Sequence, residues 1–315
     1  MNSPVYKLIQ MKTKLSTLVL MLTAIAGFSQ QDSQFTQYMY NTININPAYA
    51  GSRGALRVFG LYRTQWIGLD GAPKTSTFSV NSPINNSNLG IGVSVVNDKI
   101  GPTNQTDFSA DLSYTIQVSA ESKLSFGVKG TANLFNLDVN KLNPENQADP
   151  TFQDLQNKFS PNIGAGAYWH SDKAYVGLSV PNFIESNKYN DNDVVIYKSK
   201  MNYYLIAGYV FDLDHYQYIK FKPAVLTKMV EGAPLQVDVS ANFMFMDKFV
   251  VGAAYRWSAA MSAMAGFQVS DGMYIGYGYD QETTRLSRYN SGSHEIFLRY
   301  EFFRKNSRIT TPRFF

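Results

Sequence analysis

The chain has 315 residues, a formal net charge of +4, 14% aromatic and only 17% charged residues, and no cysteine. Soluble domains carry about 25% charged residues, so this composition is too poor in charge to clothe a soluble β-sandwich and suits a membrane surface. The lack of cysteine excludes disulfides and thiolate metal sites.

Residues 1–29 read as an export signal. Lys12 and Lys14 form its basic region, Leu15–Ala26 its apolar core, and Gly27-Phe28-Ser29 a small-residue cleavage site. Met11 is the better start. Lys7, Lys12 and Lys14 fall in this segment, which leaves 25 basic against 24 acidic residues and no support for a nucleic-acid partner. Residues 30–53 form an N-terminal segment, 54–304 a strand-rich body and 305–315 a tail. Within the first of these, Gln34–Ser52 is too rich in Tyr, Asn and Gln for an ordinary strand. Phe35, Tyr38, Met39 and Thr42 share one face of a short helix, which Asn46-Pro47 must end.

From there period-two alternation runs to the C-terminus. Phe108, Ala110, Leu112, Tyr114, Ile116 and Val118 oppose Asp107, Ser109, Asp111, Ser113, Thr115 and Gln117. Leu124–Leu134, Leu235–Phe243 and Glu295–Phe302 repeat the pattern. About fourteen strands follow, near the 9–11 residues of a tilted membrane strand. Short connections alternate with longer ones, among them Thr64–Lys74, Lys99–Gln105, Asp138–Phe159 and Pro181–Lys200. The fold predicted is all-β: a transmembrane antiparallel up-and-down barrel of about 14 strands. Both termini lie on the short-turn, periplasmic side, and the N-terminal segment sits near or in the periplasmic mouth. No linker divides the chain as two sandwich domains would require. Tyr203, Tyr204, Tyr209, Phe211, Tyr255, Trp257, Tyr277 and Tyr279 suit interfacial girdles.

Chemistry is thinly supplied. His170, His215 and His294 lack metal-ligand spacing and read as solvated turn residues. Gly90-Ile91-Gly92 and Gly276-Tyr277-Gly278 lack the third glycine of a phosphate loop and relieve crowding in strands instead. Asp191-Asn192-Asp193 lacks the glycine and glutamate of a calcium loop. The polar face carries Arg57, Arg63, Asp107, Asp111, Lys129, Lys220, Lys222, Asp238, Arg256, Glu295, Arg299 and Glu301. These charges either hydrate an open pore or pair across a plugged interior.

Four segments carry a family resemblance: QFTQYMYNTININPAYAGS, YRTQWIGLDGAPKTSTFSV, GIGVSVVNDKIGP and the terminal PRFF. Together they resemble the PorP/SprF family of outer-membrane proteins of the type IX secretion system and gliding motility of Bacteroidetes. The resemblance implies a non-enzymatic barrel, without cofactor, that exports or retains a large surface adhesin bearing a C-terminal sorting domain. It also implies contacts with periplasmic secretion components and with the lipid or lipopolysaccharide of the bilayer. Tyr38, Asn41, Asn46, Pro47 and Gly51 would form the folded N-terminal element, Arg63, Trp66, Gly68 and Pro73 the first long loop, and Arg313, Phe314 and Phe315 a periplasmic tail. The competing expectation is a diffusion channel or small-solute transporter.

Overall fold

The computed structural model describes residues 35–85, 87–141, 154–189, 195–216 and 218–302. The signal, the Asp191-Asn192-Asp193 run and the tail with Arg313, Phe314 and Phe315 lie outside them.

Fourteen antiparallel strands close into a barrel. They are β1 (Leu56–Thr64), β2 (Lys74–Pro83), β3 (Leu89–Ile100), β4 (Thr103–Gln117), β5 (Ser122–Leu137), β6 (Leu155–Ser171), β7 (Ala174–Val180), β10 (Asn202–Tyr209), β12 (Ile219–Val230), β13 (Gln236–Phe245), β14 (Phe249–Arg256), β15 (Ala260–Gln268), β16 (Met273–Glu282) and β17 (Ser293–Phe302). Each pairs with its neighbour in sequence, the two-residue β11 (Phe211–Asp212) continues β10 along β12, and β1 pairs with β17 to shut the ring. Closure leaves no strand edge facing lipid, where an unpaired backbone group costs several kcal/mol.

The alternation is inside out relative to a soluble protein. On β17, Ile296, Leu298, Tyr300 and Phe302 face outward and are exposed, while Glu295, Arg299 and Glu301 are buried inside. On β4, Phe108, Leu112 and Tyr114 face out while Asp111 and Ser113 face in. An apolar outer belt with a polar interior is the pattern that lipid selects. Tyr203, Tyr209, Phe211, Tyr255, Trp257 and Tyr277 belong to this outer surface. Tyr204 does not: one residue out of phase with Tyr203, it points into the lumen, 8% exposed, with Lys228 Nζ 5.8 Å from its ring centroid.

The connections form two unlike rims. One has turns such as 118–121, 172–173 and 246–248; the other has the loops 65–73, 138–154, 181–201 and 283–292. The predicted loop Lys99–Gln105 is instead the turn Gly101-Pro102, because β3 and β4 keep pairing to Ile100↔Thr103. The loop after β7 contains a small hairpin, β8 (Ser186–Tyr189) with β9 (Val195–Ser199). β4, β5 and β6, with 15, 16 and 17 residues, outrun the bilayer by several residues each. Phe135, Leu137, Val139 and Leu155 pack together at the top of the β5–β6 extension.

Candidate functional site

The interior is filled by the chain's own N-terminal segment. The helix expected over Phe35–Thr42 is absent. Three 3-10 turns stand there instead, Tyr38–Tyr40, Thr42–Asn44 and Pro47–Tyr49. Asn41, Asn44 and Asn46 favour local turns over helix, and a segment enclosed on every side needs no single apolar face. Tyr38, Met39, Tyr40, Asn41, Thr42, Ile43, Asn46, Ala48, Tyr49 and Ala50 are each 4% exposed or less. Nor does the segment stay at the short-turn mouth. It spans the lumen, beginning near the long-loop rim and reaching the opposite rim at Arg53, from which β1 departs.

A clasp fixes its upper end. Arg63, near the top of β1, is not a loop residue. Its guanidinium reaches Asp280 on β16 at 2.6 Å and Glu295 on β17 at 3.2 Å, and donates to Thr36 Oγ1 at 2.7 Å. Glu295 accepts the backbone N–H groups of Thr36 and Gln37 at 3.0 and 2.9 Å, and Thr36 Oγ1 donates to Asp280. Two buried carboxylates thus share one guanidinium and three further donors, the arrangement that makes buried charge tolerable.

Further down, the wall seizes the segment's carbonyls. Lys129 Nζ, paired with Asp111 at 3.3 Å, donates to Ile43 O at 3.1 Å. Ser179 Oγ donates to Ile45 O and Ser113 Oγ to Ala50 O, each at 2.7 Å. Arg57 donates to Tyr40 O and the Tyr49 hydroxyl. The Tyr40 ring packs on Tyr274 and Phe297, with Lys222 Nζ 5.3 Å from its centroid. The lumen charges thus pair across the interior and grip polypeptide.

Asn46, fully buried, joins two functions. Its Oδ1 caps the turn by accepting from Ala48 N at 3.0 Å, and its Nδ2 donates to Ala167 O on β6, 3.0 Å away, and to Leu178 O on β7, 3.4 Å away. Pro47 follows at the first position of the turn, where a missing N–H costs nothing. Asn41 Oδ1 accepts from Ser79 Oγ at 3.2 Å, and Gly51 takes φ +71°, a left-handed conformation that favours glycine. Tyr38 is buried beside them.

Glycines in the wall make the room. A Cβ at Gly127 would lie 2.6 Å from Ala48 Cα, one at Gly90 2.8 Å from the Ala50 carbonyl carbon, and one at Gly177 2.9 Å from Asn46 Nδ2. The crowding that Gly90 relieves is thus with the lumen segment as well as with Ser113 Oγ on the neighbouring strand β4, 2.6 Å from the Cβ position. Gly127, Gly166 and Gly177 were legible only as glycines at inward strand positions.

Outside the lumen, Trp66, Gly68 and Pro73 belong to the first loop. Trp66 Nε1 donates to Glu282 at 2.9 Å and its N–H to Ser293 Oγ at 3.2 Å, which ties the loop to β16 and β17. Gly68 has φ +100°; Pro73 O accepts from Gln65 N at 2.9 Å. His170 is buried against Tyr168 rather than solvated. No cluster of three or more metal-ligating side chains occurs among the described residues.

Fold and lumen define an outer-membrane β-barrel with an occupied interior. The chain belongs to the PorP/SprF family of type IX secretion system membrane proteins, whose model matches residues 27–300. That family is a secretion-system barrel family, not an enzyme family. No curated protein matches the chain. Among solved structures it is similar to the CymD monoaromatic hydrocarbon channel (12% identity, 89% of this chain and 96% of that one, TM-score 0.49). It is also similar to a TodX deltaS2S3 mutant monoaromatic hydrocarbon channel (8%, 87% and 96%, 0.48) and to a Pseudomonas aeruginosa FadL homologue (13%, 79% and 89%, 0.41).

Proposed function

We propose that this barrel binds a large secreted adhesin through its C-terminal sorting domain and supports its export or retention at the cell surface. The long-loop rim faces outward, and the first and last strand ends, Leu56 and Phe302, lie on the periplasmic rim. The observation that carries this reading is the occupied lumen. A diffusion channel needs a water path, whereas here ion pairs and wall hydrogen bonds hold a segment that contacts strands around the ring. In this reading Tyr38, Asn41, Asn46, Pro47 and Gly51 act as the plug. Trp66, Gly68 and Pro73, with the loops 138–154 and 181–201, form the outer docking face. A closed barrel offers no strand edge for a guest, so capture falls to these loops. The Arg313-Phe314-Phe315 tail serves periplasmic secretion components.

Copurification tests the proposal. A barrel drawn intact from its native membrane should retain one large surface protein through detergent, and reconstituted alone it should conduct poorly. An empty barrel with steady porin-like conductance would overturn the proposal in favour of a solute channel.

A further inference from the structure

The long-loop rim carries a hollow distinct from the lumen. The first loop leans toward the β3–β4 turn, where Gly101 N donates to Gly71 O at 2.8 Å. A cavity of about 580 Å³ lies beneath, walled by Trp66, Ile67 and Leu69 and lined by Lys74, Lys99 and Lys141. Lys74 and Lys99 are direct cross-strand partners in the β2–β3 ladder. Their neighbours Thr75 and Asp98 bond to each other at 2.6 Å on the inward side, so both lysines stand on the outer face, exposed.

Like charges placed directly opposite on adjacent strands destabilise a sheet. Asp70 lies in the same hollow, and Lys141 is paired with Asp138 at 2.7 Å. The two opposed ammonium groups remain the dominant charge. Below them, on the same outward faces, Phe78, Ile91 and Val93 are 52, 47 and 56% exposed. A cation pair above an apolar strip, at the rim of a membrane barrel, matches an amphiphile with an anionic head and acyl tails.

We propose that Lys74 and Lys99 bind the phosphate of an anionic glycolipid in the leaflet at the long-loop rim, its acyl chains lying along Phe78, Ile91 and Val93. The inference rests on the orientation proposed above only for which leaflet supplies the lipid. Detergent-solubilised barrel exposes both rims, so binding itself is tested independently of orientation and of adhesin capture.

The test is native mass spectrometry of the full-length barrel with a diphosphorylated acyl-glucosamine disaccharide, or with the same lipid lacking its phosphates. The phosphorylated lipid should bind at least about tenfold more tightly, and a Lys74→Gln/Lys99→Gln double variant should lose about tenfold. A Lys123→Gln/Lys248→Gln control at the other rim should stay within about twofold. The affected lysines are exposed, so the variants fold; unchanged circular dichroism checks this. Equal binding of both lipids, or an unaffected double variant, overturns the proposal. So does complete displacement by millimolar inorganic phosphate, which would mark a free-anion site.

Discussion

Replacing Gly127 by valine should unseat the lumen segment while leaving the barrel whole. Gly127 faces inward, and its added Cβ would meet the backbone at Pro47 and Ala48 rather than a flexible side chain. Overpacking alone costs about 1–3 kcal/mol. The obstructed backbone is also held by the two Asn46 amide bonds to Ala167 and Leu178. Moving it forfeits roughly 1 kcal/mol for each, and lifting the Tyr49 ring from Tyr168 exposes a side chain whose burial contributes about 2 kcal/mol. The sum, about 5–7 kcal/mol, shifts the seated segment's equilibrium by roughly four to five powers of ten. Gly130, three residues along on the outward face, has nothing within 4 Å of its Cβ position. Gly130→Val should therefore be silent, or slightly stabilising, in the same strand. Single-channel recording in planar bilayers reads the difference: Gly127→Val should raise open conductance severalfold over parent and Gly130→Val. If both variants conduct and melt like the parent, the wall glycine does not govern the segment and the reasoning fails.

Arg63→Met should destabilise the barrel by about 3–5 kcal/mol, because it strands Asp280 and Glu295 as buried carboxylates without their cation; heat-modifiability on gels would register the loss, and an unshifted transition would count against the clasp. Asn46→Ala removes a turn cap and two wall bonds and should cost about 2–4 kcal/mol, seen as faster protease cleavage within residues 35–52. Gly51→Ala forces φ +71° on a residue with a Cβ, 2.9 Å from Gly90 Cα, and should cost about 1–3 kcal/mol, measured by thermal unfolding. Trp66→Phe loses only the bond to Glu282, about 1 kcal/mol; it should leave the melting point nearly unchanged while loosening the first loop to proteolysis.

The strands were legible because a membrane barrel writes its two faces into successive residues. β4 and β17 show it best, with carboxylates and guanidinium groups opposing aromatic and branched side chains. Where the polar signal weakens, reading falters: Tyr203 and Tyr204 are chemically alike, and only pairing with β7 and β12 decides which faces the lumen. Arg63 sits beside the loop in sequence, and its membership of β1 rests on a ladder partner 232 residues away, Glu295. The route of the lumen segment was the least legible feature. Its partners lie on strands all round the ring, from β1 through β7 to β12, β13, β16 and β17, so no local pattern encodes it. The charges of both signs on the inward faces signalled only that something must pair with them. The inward glycines were the missing half of that signal.

The clasp also orders the events of assembly. Its five members come from the beginning of the folded chain, from β1 and β17, whose pairing closes the ring, and from β16 beside them. Thr36 and Gln37 can find Glu295 only when the last strand has arrived, and the last strand has no complete set of partners until they do. Sealing the cylinder and fastening its contents are thus a single cooperative step. A chain truncated before Ser293 would be left with an open wall and an unlatched interior at once, two defects from the loss of one strand.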